Sequence, residues 1–555
     1  MGEWGKTDVA QKTFNPYTHS LIHPFTHSQV SIAANLSQDF IGKRIYMSKN
    51  IGSQAKEGVF WTVFFDSIEF VVSIGSSIIL ARLLVPADFG TMGLVSIAIQ
   101  FARRLANFGF STVLVQLKEV KDEHYDTVYI INLVLMALVA GIVFFSAHYY
   151  SVFFNTPGLE LILQVIAFDF LLKAFSSVPE SILKRYMRFK ELGMAQSAGK
   201  FGTIISTVIL AIAGYGVWAL VLGTMIGSFC HRTASIRFAL KYANWKPRFK
   251  FRRWALKDCF SFGAWVYFST FVSFGINKVD YFLIGKFLGT SQLGFYERAF
   301  ELMSLPRKQL VRKVNSVLFS SYSRIQDDNA RVVRGFLRVA TFLSFIAYPL
   351  MIWLFFVSPS FITVVYGEKW VGTILPLQIM CLTGIIDSYT LIFQPLMKAK
   401  GMVGHHARRD FLYLIFLSVA VFVAISLGHG IAGVAVGVTA VSLVRLSLML
   451  NLAVRNLPMT VWDFIMAQKS AIVYGLIQIG ACLLVEYFTR PWFAVDSLPM
   501  MIIISVVALV AFVGAHLVIR FADVDEVFDE IVGDLKKVSR KVPVLKKLGF
   551  VQKKS

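Results

Sequence analysis

Ionised side chains set inside long apolar runs are the first feature of this sequence with chemical content. Residues 58–116 hold two such runs, joined at Val85-Pro86-Ala87-Asp88, and contain Asp66, Glu69, Arg103 and Arg104. A charge at the centre of a bilayer costs roughly 2.5–3.5 kcal/mol even on the mild insertion scale, so it persists where it faces a bundle interior or a watery path. Asp66, Glu69 and Ser73 follow i, i+3, i+7 and share one helix face. Gln100, Arg104, Asn107 and Ser111 form a second stripe, with Arg103 turned toward a neighbouring helix. An acidic face and a basic face on consecutive antiparallel helices have two explanations. They neutralise each other as a structural pair, or they line a path for a substrate and a coupling ion. Asp169 and Lys173, at i, i+4, read as a self-paired couple. Lys200, Arg232 and Arg445 lie toward the ends of their runs, where snorkelling accounts for a cation as readily as a site does. Lys278, Asp280, Glu297, Arg298, Glu301, Asp387 and Glu486 are further charges within apolar runs.

The elements that must hold these groups are membrane spans. A hydrocarbon core of about 30 Å needs roughly 20 helical residues, and backbone polar groups in lipid must bond within their own segment. The sequence holds about fourteen runs of that length, within boundaries good to 2–4 residues. The composition agrees: 56% of residues are hydrophobic and 16% charged, against about a quarter charged in soluble domains. The expected class is an all-α polytopic membrane protein. The four cysteines lie in or at the edge of apolar runs without metal or redox spacing and read as core residues.

An internal echo organises the chain. ARLLVPADFGTM (81–92) aligns with GKFLGTSQLGFY (285–296): Arg82 falls on Lys286, Leu84 on Leu288 and Gly90 on Gly294. Each copy closes one run and opens the next. Two direct repeats point to two lobes related by an axis along the membrane normal, with substrate handled between them. The expected organisation is a polar cytoplasmic tail (1–57), an N-lobe of six spans (58–240) and a basic cytoplasmic linker (241–258). A C-lobe of six spans (259–455), two additional helices (456–520) and an amphipathic basic tail (521–555) follow. Met47, ahead of a short basic lead into the first span, reads as the functional start.

The net charge of +22 invites a nucleic-acid reading, but its placement opposes that. With a cytoplasmic N-terminus, lysines and arginines gather in the inside connections, such as Lys184 to Lys190 and Arg237 to Lys257. The outside turns carry only Arg82, Lys286, Lys369 and Arg490. This is the positive-inside pattern, with both termini cytoplasmic. In the tail, Val524, Val527, Phe528, Ile531, Leu535 and Val538 recur at helical spacing among lysines, the pattern of a helix lying on an anionic leaflet. The sequence has no GxxxxGK[ST] nucleotide loop, no metal-spaced cluster, no nucleophile elbow and no loop long enough for a catalytic unit. The class expected is not an enzyme, with no cofactor, metal or catalytic residue.

With those residues in view, the chain resembles the polysaccharide transporters of the multidrug/oligosaccharidyl-lipid/polysaccharide exporter superfamily, the Wzx-type flippases with a MATE-like fold. The stretches that carry the likeness are ILARLLVPADFGTMGLV (79–95), PESILKRYMRFKELG (179–193), GYGVWALVLG (214–223) and NKVDYFLIGKFLGTSQLGFYERAFELMSLP (277–306). The resemblance implies two six-helix lobes plus two C-terminal helices, alternating access in the inner membrane, and a polyprenyl-pyrophosphate-linked oligosaccharide as cargo. It further implies cavity cations for that cargo, at Arg103, Arg104, Lys200 and Arg298, and ion coupling at Asp66 and Glu69. Polysaccharide polymerases and glycosyltransferases are the implied partners. The competing readings are a cation-coupled small-molecule antiporter of the same superfold and an envelope glycan polymerase or ligase.

Overall fold

The computed structural model describes residues 61–526 except 62–63, 66, 107–113, 116, 118–119, 243–247, 249–251, 253–263 and 523. Every regular element among the described residues is helical. Residues from 62 onward cluster as one unit. The helices are α1 (67–83), α2 (Pro86–Ala106), α3 (Asp122–Phe153), α4 (Leu159–Arg185), α5 (Phe189–Ile212) and α6 (Val217–Ala239). They continue as α7 (Ala264–Phe287), α8 (Gly289–Arg324), α9 (Asn329–Phe361), α10 (Ile374–Ala399), α11 (Val403–Ser426) and α12 (Gly430–Asn456). A short α13 (Val461–Met466) precedes α14 (Lys469–Thr489) and α15 (Leu498–Val518).

Local chemistry sets the helix ends. Pro86 opens α2, where a missing N–H costs nothing, and Asp88 Oδ2 accepts from the Val85 N–H at 3.2 Å. Asp328 and Ser497 cap α9 and α15 by accepting from the N–H groups of Arg331 and Met500. Gly289 turns α7 into α8 at φ +85°, a conformation that costs other residues a Cβ clash.

Nine helices among the described residues are long and apolar enough to cross a membrane. Large apolar side chains remain exposed on them, including Phe145 at 77%, Leu484 at 61% and Val510 at 63%. In water each such side chain forgoes about 1.5–3 kcal/mol of burial; against lipid the penalty vanishes. Helices α2, α6, α7 and α8 stand where spans are expected yet fall outside the nine. Their polar faces have another use, described below.

Packing follows the repeat. Helix α3 packs on α4, α5 on α6 and α4 on α6; in the second half α8 and α9 pack on α10, α11 on α12 and α7 on α11. Helices α14 and α15 pack on each other and against α9. The halves meet chiefly where α2 crosses α8. A Cβ at Gly90 would lie 1.7 Å from the Thr290 carbonyl oxygen, and one at Gly294 would lie 1.9 Å from that of Pro86. In the repeat register Pro86 matches Thr290 and Gly90 matches Gly294. The contact is therefore exchanged between equivalent positions, a pseudo-twofold crossing made possible by two glycines. The same axis pairs Gly93 with its counterpart Glu297, whose Oε2 lies 3.1 Å from where a Cβ on Gly93 would stand.

Two expectations are corrected here. Asp169 does not pair with Lys173 along its own helix; its Oδ1 accepts from Arg232 Nη2 of α6 at 2.7 Å. Arg232 does not snorkel, being 7% exposed, because a carboxylate one helix away is nearer than the interface. Arg445 likewise binds Asp410 at 2.9 Å. Cys381 and Cys482 are buried free thiols, Cys230 is half-buried, and Cys259 lies outside the described residues. Met47 and the tail beyond 526 lie outside the described residues.

Candidate functional site

A cavity of about 520 Å³ lies between α2 and α6 on one side and α7 and α8 on the other. These are the four helices that are too polar to count among the apolar nine. The α2 wall is Phe89, Met92, Ser96, Gln100 and Arg104, spaced i, i+3, i+7, i+11 and i+15 along one helix face. Leu220 and Thr224 come from α6, and Asn277, Lys278 and Tyr281 from α7. Helix α8 contributes Glu297, Arg298, Phe300 and Glu301.

Three cations line this space, each lying over an aromatic ring. The Arg104 guanidinium stands 4.8 Å from the Phe274 ring centre and donates to the carbonyls of Gln100, at 3.2 Å, and Thr270, at 3.3 Å. Lys278 Nζ is 4.2 Å from the Tyr281 ring centre and donates to Ser96 Oγ at 3.3 Å. The Arg298 guanidinium is 3.8 Å from the Phe89 ring centre, donates to Ser77 Oγ at 3.1 Å and is ion-paired with Glu301. A ring face holds a cation in place by its quadrupole without consuming its charge. Below the lining, Asp280 is sealed at 4% exposure, accepting from the Tyr296 hydroxyl at 2.8 Å and the Tyr281 N–H at 2.9 Å. Its two carboxyl oxygens are thus met by donors in the wall. Against the lining carboxylates Glu297 and Glu301 the three cations leave one positive charge in excess, which suits an anion with flat, hydroxylated appendages: guanidinium forks fit phosphate oxygens, and rings fit sugar faces.

The site residues expected from sequence divide. Arg104 and Arg298 are brought to the cavity from opposite halves. Arg103 is exposed on α2 and is not part of the lining. Glu69 and Lys200 form an ion pair between α1 and α5, outside the lining, and Ser197 Oγ donates to Glu69 at 3.1 Å. Asp66 lies outside the described residues. The stripe through Gln100 and Arg104 does run along the cavity and continues through Ser96, Met92 and Phe89; Asn107 and Ser111 lie outside the described residues. Those residues are what the spacing of charged groups alone did not single out, and Lys278, noted only as a charge in an apolar run, joins the lining from α7. The recurrence every three to four residues from Phe89 to Arg104 is the signal that finds those on α2.

A many-helix bundle in two repeat-related halves, with a polar cavity between them, is the architecture of a multi-pass membrane transporter. The family described as "Polysaccharide biosynthesis protein" matches residues 79–375, so the chain belongs to that family. It is 25% identical to the teichuronic acid biosynthesis protein TuaB of Bacillus subtilis over 380 residues, 68% of this chain and 78% of TuaB. The lipopolysaccharide biosynthesis protein WzxC of Escherichia coli is 24% identical over 382 residues (69% and 76%). The succinoglycan biosynthesis transport protein ExoT of Rhizobium meliloti is 25% identical over 345 residues (61% and 68%). In fold the chain is similar to the lipid II flippase MurJ in an inward closed conformation. The TM-score is 0.67 at 15% identity, over 82% of this chain and 98% of MurJ. It also resembles an inward-facing MATE-family transporter, with TM-score 0.53 at 14% identity, over 73% and 95% of the two chains. The chain is a multi-pass membrane protein of a polysaccharide biosynthesis family.

Proposed function

We propose that this protein is a flippase that carries polyprenyl-pyrophosphate-linked oligosaccharide across the inner membrane by ion-coupled alternating access. The single observation that carries the reading is the cavity, in which Arg104, Lys278 and Arg298 converge from both halves of the bundle. A pyrophosphate held by cations from two halves links cargo binding to their relative position. The lipid tail stays in the bilayer beside the bundle while the head group crosses. The names of MurJ, WzxC and ExoT support a lipid-linked or envelope polysaccharide cargo.

The lobe boundaries, the fourteen spans and the cytoplasmic termini belong to the same proposal, supported by the basic inside connections. Arg103 and Lys200 are not part of the cargo site proposed here. Glu69, held by Lys200 and Ser197, is proposed with Asp66 as the coupling carboxylate. Glycosyltransferases on the cytoplasmic side would supply the cargo and a polymerase on the far side would consume it.

Binding of a fluorescent polyprenyl-pyrophosphate oligosaccharide to the purified protein tests the site. Losing one charge-assisted contact costs roughly 1.5–3 kcal/mol, about 10- to 100-fold in affinity. Arg104→Ala, Lys278→Ala and Arg298→Ala should each weaken binding on that scale, and Arg103→Ala should not. Equal binding by all four variants would remove the cavity from the account.

A further inference from the structure

The α1–α2 turn, the α7–α8 turn and the C-terminal ends of α3 and α9 meet at one end of the bundle, and the bonds among them are exchanged between the halves. Arg82, at the end of α1, donates through Nε to the Val365 carbonyl at 2.7 Å and also bonds the Val364 carbonyl. Both acceptors lie in the π-helical turn Ile362–Tyr366 that ends α9. Lys286, which occupies the position of Arg82 in the second repeat, donates to the Phe153 carbonyl at the end of α3 at 2.5 Å. In the repeat, α3 and α9 are themselves counterparts. Each half therefore sends the same repeat position across to the C-terminal carbonyls of the other half's third helix.

The reciprocal caps reinforce this. Carbonyls at the end of α1 accept from the second half: Arg82 O from Lys369 Nζ at 2.7 Å, and Ala81 O from Trp370 Nε1 at 2.8 Å. The last carbonyls of a helix lack intrahelical partners and carry the negative end of its dipole, so a cation there is favoured. Gly367, at φ +104°, leaves room for the Arg82 guanidinium, whose Nη1 lies 3.3 Å from where a Cβ would stand. Directly inside this ring of bonds, Gly90 and Gly294 make the close α2–α8 crossing. Arg82, Lys286 and Lys369 are also three of the four cations that the outside turns carry against the positive-inside pattern, and this contact gives them a reason to be there.

We propose that Arg82 and Lys286 form a two-armed latch, built from the repeat, that holds the outer mouth of the transport path shut in this state. The proposal rests on the alternating-access reading above. Bonds of this kind suit a reversible closure. When the halves part, each cation and each carbonyl meets water, so no group is left buried without a partner. The latch thus adds bias toward the closed state without a large barrier to leaving it.

Outer-side labelling of the cavity by a membrane-impermeant maleimide tests this, with Thr224→Cys on α6 as reporter in a chain whose four native cysteines are replaced. Arg82→Ala with Lys286→Ala should raise labelling about tenfold, the scale of a population shift when charge-assisted bonds to one state are removed. Each single variant should give an intermediate rise. The pair Arg82→Lys with Lys286→Arg, which keeps both charges, should label as the parent does, which separates opening from misfolding. Unchanged labelling in the double alanine variant overturns the latch, as does labelling of the charge-retaining pair raised to the level of the double alanine variant. Cargo translocation measured in parallel keeps the two claims apart. Increased labelling without translocation by the parent protein overturns the transport reading alone, and translocation without increased labelling overturns the latch alone.

Discussion

At the scale of single residues, the interior of this protein treats its charges in two ways. Asp169 and Arg232 face each other at 2.7 Å and are sealed from solvent, while buried Glu69 is met by Ser197 and by Lys200, whose side chain is exposed. Arg104 and Lys278 instead rest on rings and backbone or hydroxyl acceptors at the edge of a cavity. Removing one member of a sealed pair strands the other: Asp169→Asn should cost roughly 3–5 kcal/mol, because the Arg232 charge loses its neutralising partner in a low dielectric. The check is thermal unfolding of the detergent-solubilised protein, in which the midpoint should fall; an unchanged midpoint would mean that water already reaches Arg232. The sequence showed that these charges exist and that Arg104 belongs to a polar stripe. It assigned Asp169 to Lys173, because spacing along one helix reports only that helix's own neighbours. The partner that prevails is on α6, and sequence distance carries no trace of it. The same limit placed Glu69 and Lys200 in separate roles although they touch.

At the scale of elements, small residues decide how closely helices approach. Helix α6 carries Gly223 and Gly227 four apart, and a Cβ on either would collide with Thr207 Oγ1 at 1.9 Å or Thr203 Oγ1 at 1.8 Å on α5. This is the small-residue packing expected between helices in lipid, where no hydrophobic drive brings them together. Overpacking such a contact costs about 1–3 kcal/mol, so Gly223→Val and Gly227→Val should each lower the thermal midpoint and the yield of monodisperse protein. Gly480→Ala on α14, where a Cβ meets nothing within 4 Å, should leave both unchanged. Equal loss in all three variants would contradict the packing account, since replacing glycine raises helix propensity and cannot itself lower the midpoint. Helix positions were legible from hydropathy, as was the break between the first two runs at Val85-Pro86-Ala87-Asp88. Interhelical contacts were not, apart from the repeat, where Gly90 and Gly294 announced each other by matching register.

At the scale of the whole molecule, the two halves, the cavity between them and the reciprocal contacts of Arg82 and Lys286 form one device. The helices that are least apolar are those that face the cavity, which explains how a bundle in lipid tolerates them. The direct measurement is translocation of a fluorescent polyprenyl-pyrophosphate oligosaccharide in vesicles reconstituted with the purified protein, scored by accessibility of the sugar to an external lectin. The account expects cargo to cross faster than in protein-free vesicles and expects the rate to drop about tenfold or more in Arg104→Ala and Arg298→Ala. Crossing no faster than in protein-free vesicles, or at the parent rate in both variants, would contradict it.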